Sequence, residues 1–483
     1  MKNMKRTKII ATLGPATASP DKIRTLVESG VNAFRLNFSH GSHEDHLRLI
    51  GGVKEIREEL DLPVAIMQDL SGPKIRIGEV GDEPMILETG DEIVLDSSVE
   101  ERVGNVVSVS HSRFAEDVQV GHNLLLADGA IELEILAIEN SRVTCRVING
   151  GQLTSKKGIN YPVGSFSVPS VTEKDIKDLQ FGLEHGIDMV AVSFVRNAND
   201  VELVRGKCRE LGRIVPLIAK IEKHEAIENL DDIIDSVDGV IVARGDLGVE
   251  IPLEKVPGTQ KKIIESANLH GKPVIIATQM LASMVRSPRP TRAEVTDIAN
   301  AILDGADALL LSEETAVGQY PIKAIQTMAR IAKETEKDYP YGKLFPEGQY
   351  SDDMILPIEI ALNAADVANA LNAPVILCPT SSGFTARMLS RFRPEALIYA
   401  LTSDDSVYYN TGLLWGVIPR KVSEIEGFDE SLMCSAKKMA NSDGLLNEGD
   451  YYVLTAGFPF GVGNRTNMIN AGIYREEDCA DIR

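Results

Sequence analysis

Several short apolar runs in this 483-residue chain end in charged or hydroxyl side chains of only a few chemical kinds. Arg35, Asn37 and Ser39 alternate with Leu36 and Phe38, so they share one face of an extended segment. Lys220 and Glu222 repeat that spacing, as do Arg244 and Asp246 around Gly245, while Asp69, Ser193 and Thr278 each end a further run. Buried strands carry polar groups only where something pairs or uses them. Two carboxylates, Glu222 and Asp246, suit a hard, oxygen-preferring cation such as Mg2+, which keeps sites for water and substrate oxygens. Beside such a cation, Lys220 and Arg35 suit an anionic substrate with a phosphoryl group, because positive charge around a transferring phosphoryl stabilises it. Thr278 adds a hydroxyl that can orient a proton or a water.

These groups meet only if the runs are neighbouring strands. The runs read as strands are Lys8–Leu13, Ala33–Phe38, Pro63–Asp69, Met189–Phe194, Pro216–Ile221, Gly239–Ala243, Pro273–Thr278 and Ala308–Leu311. Helical signals lie between them: Thr172-x-x-Asp175 as a cap, and Ala293–Leu303 with Val295, Ile298, Ala299 and Ile302 on one face. Eight strand–helix units predict a (β/α)8 TIM barrel, whose C-terminal rim would receive polar groups from six strands. From Gly72 to Ser167 the pattern changes to short alternating segments such as Ile131–Ile138 and Val143–Val147, separated by Gly-Asp, Asp-Gly and Asn-Gly turns, which predicts an inserted small all-β barrel domain. After a helix at Ile322–Lys337, Tyr339–Pro357 reads as a linker. A C-terminal α/β domain follows, with strands at Val375–Cys378, Leu397–Leu401 and Tyr452–Thr455. The expected domains are thus 1–71 with 168–340, 72–167, and 355–483.

Other features bound the function. Fifty basic against 71 acidic residues leave a net charge of -21, which disfavours nucleic acid and anionic membranes as partners. The five cysteines, Cys145, Cys208, Cys378, Cys434 and Cys479, are dispersed and form no C-x-x-C, so neither a disulfide framework nor a zinc site is expected. The basic N-terminus leads into no signal-peptide core and no apolar run reads as membrane-spanning, so a cytoplasmic setting is expected. His40, His43 and His46 resemble a zinc spacing, but Ser42-x-x-Asp45 reads as a helix cap that places His43 and His46 on a solvated first turn. No P-loop is present. In the C-terminal part, Thr380, Ser381, Ser382, Gly383 and Thr385 precede a helix opening at Ala386; backbone N–H groups and hydroxyls there would cradle a phosphate, or merely cap the helix. Gly457, Gly461 and Gly463 mark a second loop after the strand Tyr452–Thr455.

With these residues assembled, the chain resembles the pyruvate kinase family over nearly its full length. The resemblance rests on Phe34–Gly41, Gln68–Gly78, Ser155–Asn160, Ile218–Glu222, Val242–Glu250, Ala277–Leu281, Pro288–Asp297 and Ala306–Gly318, in that order and spacing. It implies phosphoryl transfer from phosphoenolpyruvate to ADP, giving pyruvate and ATP, by a homotetramer with a phosphorylated allosteric effector. It also implies roles by position. Glu222 and Asp246 hold Mg2+, with Mn2+ as an alternative, and Lys220 stabilises the phosphoryl group. Arg35 binds the substrate phosphate, and Gly245, Asp246 and Thr278 hold the carboxylate. Ser193 lies near the carbon to be protonated, while Asn37, His40, Arg76 and Lys157 contact the nucleotide. The family's K+ pocket maps to Asn37, Ser39, Asp69 and the Leu70 carbonyl. Lys74 stands five residues after Asp69, where K+-dependent members carry glutamate, so an internal ammonium close to Asp69 is expected to make K+ dispensable. Two rival classes are another Mg2+-enolate barrel enzyme, which would need no nucleotide-facing Lys157, and a silent phosphosugar-binding regulator, which would be expected to have lost Lys220 or a metal carboxylate.

Overall fold

Short apolar, mostly buried runs form eight parallel strands: Lys8–Thr12, Ala33–Asn37, Ala65–Asp69, Met189–Val192, Leu217–Ile221, Gly239–Ala243, Val274–Ala277 and Ala308–Leu311. They close into a barrel in chain order, the first strand pairing with both the second and the eighth. The computed structural model describes residues 4–342, 352–423, 430–459 and 465–479. Alternation along each strand sorts side chains into two layers. Ile9, Ala11 and Phe34 join the large core between sheet and helices, whereas Ile10, Ala33, Ala65, Met67, Met189, Ala191, Ile218 and Ile241 fill the interior. The next inward positions towards the C-terminal rim are Thr12, Arg35, Asp69, Ser193 and Lys220, so the barrel's own pleat delivers polar groups to its mouth. Three of the surrounding helices start at capping boxes, Ser42–Asp45, Thr172–Asp175 and Thr291–Glu294. In the helix Arg292–Leu303 the buried face is Ile298, Ala301 and Ile302, while Val295, expected on it, is exposed.

The insertion after the third strand is a curled six-stranded sheet, with Ile131–Glu139 and Arg142–Asn149 as its longest hairpin, and a two-stranded ribbon of Met85–Leu87 with Gly151–Leu153. It has its own apolar core, from Ile75 to Phe166. Among the described residues the C-terminal sheet has five strands in the order Val417–Lys421, Leu397–Thr402, Val375–Pro379, Tyr451–Ala456 and Met468–Ile473, the last antiparallel.

Four expectations are corrected here. The linker is shorter than expected: a helix spans Asp352–Leu371 and contains Pro357, and Ala361, Ala364, Ala365 and Ala368 on it pack in the C-terminal core. Its segment Met354–Leu371 is also long and apolar enough to cross a membrane by length and composition, although a third of that window is buried inside the fold. Cys434 and Cys479 are joined by a disulfide between the helix Glu430–Ser442 and the turn Glu476–Cys479, with Cα atoms 5.5 Å apart; sequence separation hid a pairing that the fold makes. His46 is buried, stacked on Phe38 with ring centroids 3.9 Å apart, and is not on a solvated turn; His43 is exposed but reaches Asp178 at 2.8 Å. Gly461 and Gly463 lie outside the described residues.

The C-terminal domain grips the barrel at the end opposite the mouth. Arg393, fully buried, bonds Asp307 at 2.7 and 3.0 Å, and Lys8 Nζ donates to the Val417 carbonyl at 2.6 Å. Trp415 of the C-terminal part is buried in the barrel's core.

Candidate active site

Five strand ends meet in one connected chain. Arg35 Nε donates to Asp69 at 2.5 Å and its Nη1 to Thr12 Oγ1 at 3.1 Å. Lys220 Nζ lies 2.8 Å from Glu222 Oε1 and 3.4 Å from Asp69 Oδ1, and donates to Ser193 Oγ at 2.8 Å. Ser193 Oγ in turn reaches the Leu70 carbonyl at 2.7 Å. Glu222 Oε2 accepts from the Phe194 N–H at 2.8 Å. All four charged groups are shielded, with side-chain exposures of 12% for Arg35, 2% for Asp69, 13% for Lys220 and 1% for Glu222.

The electrostatics follow from this packing. Burial disfavours the Lys220 ammonium, but the carboxylates of Asp69 and Glu222 outweigh it and hold its pKa above the usual lysine value. Burial likewise opposes ionisation of Asp69, and Lys220 and Arg35 overcome it, so Asp69 titrates below its usual value. Glu222 goes the other way: burial raises its pKa, Lys220 only partly offsets this, and the facing Asp246 raises it further. Two carboxylates that repel each other, one buried and one partly exposed, form a donor set for positive charge.

The second carboxylate arrives differently from the expected strand alternation. Gly245 and Asp246 open a helix, Arg244–Glu250, and Arg244 is turned aside, with Nη1 at 2.7 and 2.6 Å from the two oxygens of Asp297. The Gly245 N–H donates to Thr278 Oγ1 at 2.7 Å, and Thr278 Oγ1 donates to the Ala277 carbonyl at 2.6 Å. Thr278 and Gln279 have φ of +71° and +56°, and Phe194 has +54°. Such values in a β-branched or bulky residue cost about 1–3 kcal/mol each and persist where surrounding structure enforces them, typically at functional sites.

Lys74 also departs from expectation. Its Nζ lies 3.5 Å from Asp246 and 3.4 Å from Asp128 on a turn of the inserted domain, the lid over the barrel, so it faces Asp246 and not Asp69. The remaining expected residues make local bonds of their own. Asn37 Oδ1 accepts from the Ser39 N–H at 3.1 Å, and His40 is exposed on the same turn. Asn37 is the register partner of Asp69. Arg76 and Lys157 share a lid ribbon, where Arg76 Nη1 donates to the Lys156 carbonyl at 3.0 Å and the Ile77 N–H to the Lys157 carbonyl at 2.9 Å. At the C-terminal loop the helix opens at Phe384, two residues earlier than expected, behind Gly383 at φ +76°. Thr380 Oγ1 accepts from the Gly383 N–H at 2.9 Å, and Thr385 and Thr466 hydroxyls pair at 2.8 Å, leaving Ser381 and Ser382 exposed. Thr12 was missed, although its place at a strand end is the same signal that found the others. Glu250 and Asn160, which bond at 2.8 Å, lay inside recognised motifs and were given no role.

Comparison with known proteins agrees with this geometry. Residues 4–325 match the family model described as pyruvate kinase, barrel domain, and residues 359–471 match pyruvate kinase, alpha/beta domain. The chain is 44% identical to pyruvate kinase 2 of Synechocystis sp., over 98% of this chain and 80% of that protein. It is 43% identical to a pyruvate kinase of Agrobacterium vitis, over 97% of each. A solved pyruvate kinase from Cryptosporidium parvum superposes with a TM-score of 0.90 at 34% identity, covering 97% of this chain and 96% of that one.

Proposed function

The chain belongs to the pyruvate kinase family, and on that premise we propose how its residues divide the work of the reaction. The family's reaction moves a phosphoryl group from phosphoenolpyruvate to ADP, giving pyruvate and ATP in the last step of glycolysis. The observation that carries the assignment is the alternating chain Arg35–Asp69–Lys220–Glu222 at the barrel mouth. Arg35 binds the substrate phosphate, and Lys220, held charged by two carboxylates, stabilises the phosphoryl group as it leaves one oxygen for another. The Gly245 and Asp246 backbone and the Thr278 hydroxyl hold the substrate carboxylate, the Gly245 N–H exchanging its bond to Thr278 Oγ1 for one to the substrate. Ser193, bonded to Lys220, lies near the carbon to be protonated.

Glu222 and Asp246 fit Mg2+, or Mn2+, because their mutual repulsion is what a hard divalent cation relieves. When bound, the ion supplies positive charge to phosphoryl and enolate oxygens. Asn37, His40, Arg76 and Lys157 contact the nucleotide. Asn37, Ser39, Asp69 and the Leu70 carbonyl correspond to a K+ pocket, and K+ is dispensable. Asp69 already has Arg35, Lys220 and Ser193 on it, Ser193 donates to the Leu70 carbonyl, and Lys74 brings a fixed ammonium to Asp246. The loop Thr380–Thr385 takes a phosphorylated effector on Ser381, Ser382 and the helix start, the assembly is a homotetramer, and the setting is cytoplasmic, with neither nucleic acid nor membrane as partner.

A coupled assay with phosphoenolpyruvate, ADP and Mg2+, in buffer free of Na+ and K+, tests the reading. Pyruvate should form at full rate, and Lys74→Glu should make the rate depend on KCl. Strong activation of the unaltered protein by KCl would overturn the K+ assignment, and no pyruvate under any of these conditions would overturn the catalytic one.

A further inference from the structure

Glu250 joins three segments through one carboxylate. It ends the helix Arg244–Glu250, whose first turn carries Gly245 and Asp246, and its side chain is 1% exposed. Its Oε1 accepts from Lys223 Nζ at 2.7 Å and from Asn160 Nδ2 at 2.8 Å, and its Oε2 lies 3.4 Å from His224 Nδ1. Lys223 and His224 directly follow Glu222, so the two metal-side segments are tied to each other here. Asn160 is different in kind, because it comes from the lid. A buried carboxylate needs pairing, and Lys223 with His224 supplies that from the barrel alone. The Asn160 amide is therefore an additional bond, and what it adds is a fixed lid position.

The segment it fixes carries Lys157. Residues 157–160 run as a short ribbon against 75–77: Ile77 N–H donates to the Lys157 carbonyl, Arg76 bridges Gly158, and Ile159 N–H donates to the Ile75 carbonyl at 2.9 Å. Asn160, itself buried, pins the 157–160 side of this ribbon to the barrel's rim.

We infer that Glu250 is a positioning residue for the nucleotide: through Asn160 it sets where the lid ribbon, and with it Lys157, stands over the mouth. The inference rests on reading Lys157 as a nucleotide contact. Asn160→Ala should raise KM for ADP about tenfold, the effect of losing one hydrogen bond to a charged acceptor, with KM for phosphoenolpyruvate within about twofold. Amide hydrogen exchange across residues 155–161 should quicken in the same variant. Glu250→Gln combined with Asn160→Asp exchanges donor and acceptor while keeping a negative charge beside Lys223, and should restore KM for ADP. An unchanged KM for ADP in Asn160→Ala would overturn the inference, as would a general fall in both affinities that the exchanged pair does not rescue. Lys157→Ala separates the two readings. If it leaves KM for ADP unchanged, the nucleotide assignment is wrong; if it raises KM while Asn160→Ala does not, only the role of Glu250 is lost.

Discussion

At the barrel mouth, Arg35, Asp69, Lys220 and Glu222 bond chiefly to one another, within 3.4 Å at every link. In the C-terminal loop, Thr380 and Thr385 bond to the turn and to Thr466, which are parts the loop needs in order to exist. Both regions are polar clusters at strand ends, yet only the first leaves unbalanced demand. Glu222 is raised by burial and by Asp246, so that site favours an added cation, while the buried hydroxyls of the loop are satisfied. A count of polar residues would rank the two alike. The difference lies in whether the partners of each group are structural or chemical.

The contrast can be sharpened first at its strongest point. Lys220→Met should lower kcat by about 10²–10³-fold or more, with phosphoenolpyruvate affinity largely kept, since the ammonium acts where charge moves during transfer. Near-normal turnover in the folded variant would remove the mouth from the chemistry. Next come Glu222→Gln and Asp246→Asn. Each should raise the Mg2+ concentration for half-maximal rate by at least about 10–100-fold, the cost of losing even an outer partner of a metal. Metal titration of the rate checks this, and unchanged half-saturation in both variants would place the ion elsewhere. The smallest effect belongs to the loop. Thr385→Val should destabilise the fold by about 1 kcal/mol in chemical denaturation, through the lost pair with Thr466. Replacing Ser381 and Ser382 by alanine should leave stability unchanged and abolish calorimetric binding of sugar phosphates or AMP. If none of these ligands binds the unaltered chain, the loop is a cap and nothing more.

Much of this architecture was legible because a parallel barrel writes itself in apolar runs. Gly239–Ala243 and Ala308–Leu311 are found at their exact expected bounds, and the other barrel strands within two residues. Val417–Lys421 and Met468–Ile473 were not expected as strands, and both are edges of the C-terminal sheet. An edge tolerates Pro419, Arg420 and Lys421 and needs no buried alternation, so the signal that found the central strands is missing there. Pro357 hid the start of the helix Asp352–Leu371 for a related reason: proline and its polar neighbours read as a break. In the site, residue types were legible and partners were not. Strand alternation placed Lys220 and Glu222 together, but no spacing shows that Lys74 would turn to Asp246, or that Thr278 would sit at positive φ.

The grip of the C-terminal domain on the barrel's far end has a mechanical meaning. The seam strands Lys8–Thr12 and Ala308–Leu311 run side by side from Lys8↔Ala308 to Ala11↔Leu311. At one end Lys8 holds Val417 and Asp307 holds Arg393; at the other, Thr12 accepts from Arg35 and donates to the Leu311 carbonyl at 2.9 Å. Four residue steps of about 3.3 Å make this a beam of roughly 13 Å. Close packing leaves such a beam no slack in which a push could dissipate. The C-terminal domain and Arg35 are thus mounted on opposite ends of the same short, stiff member.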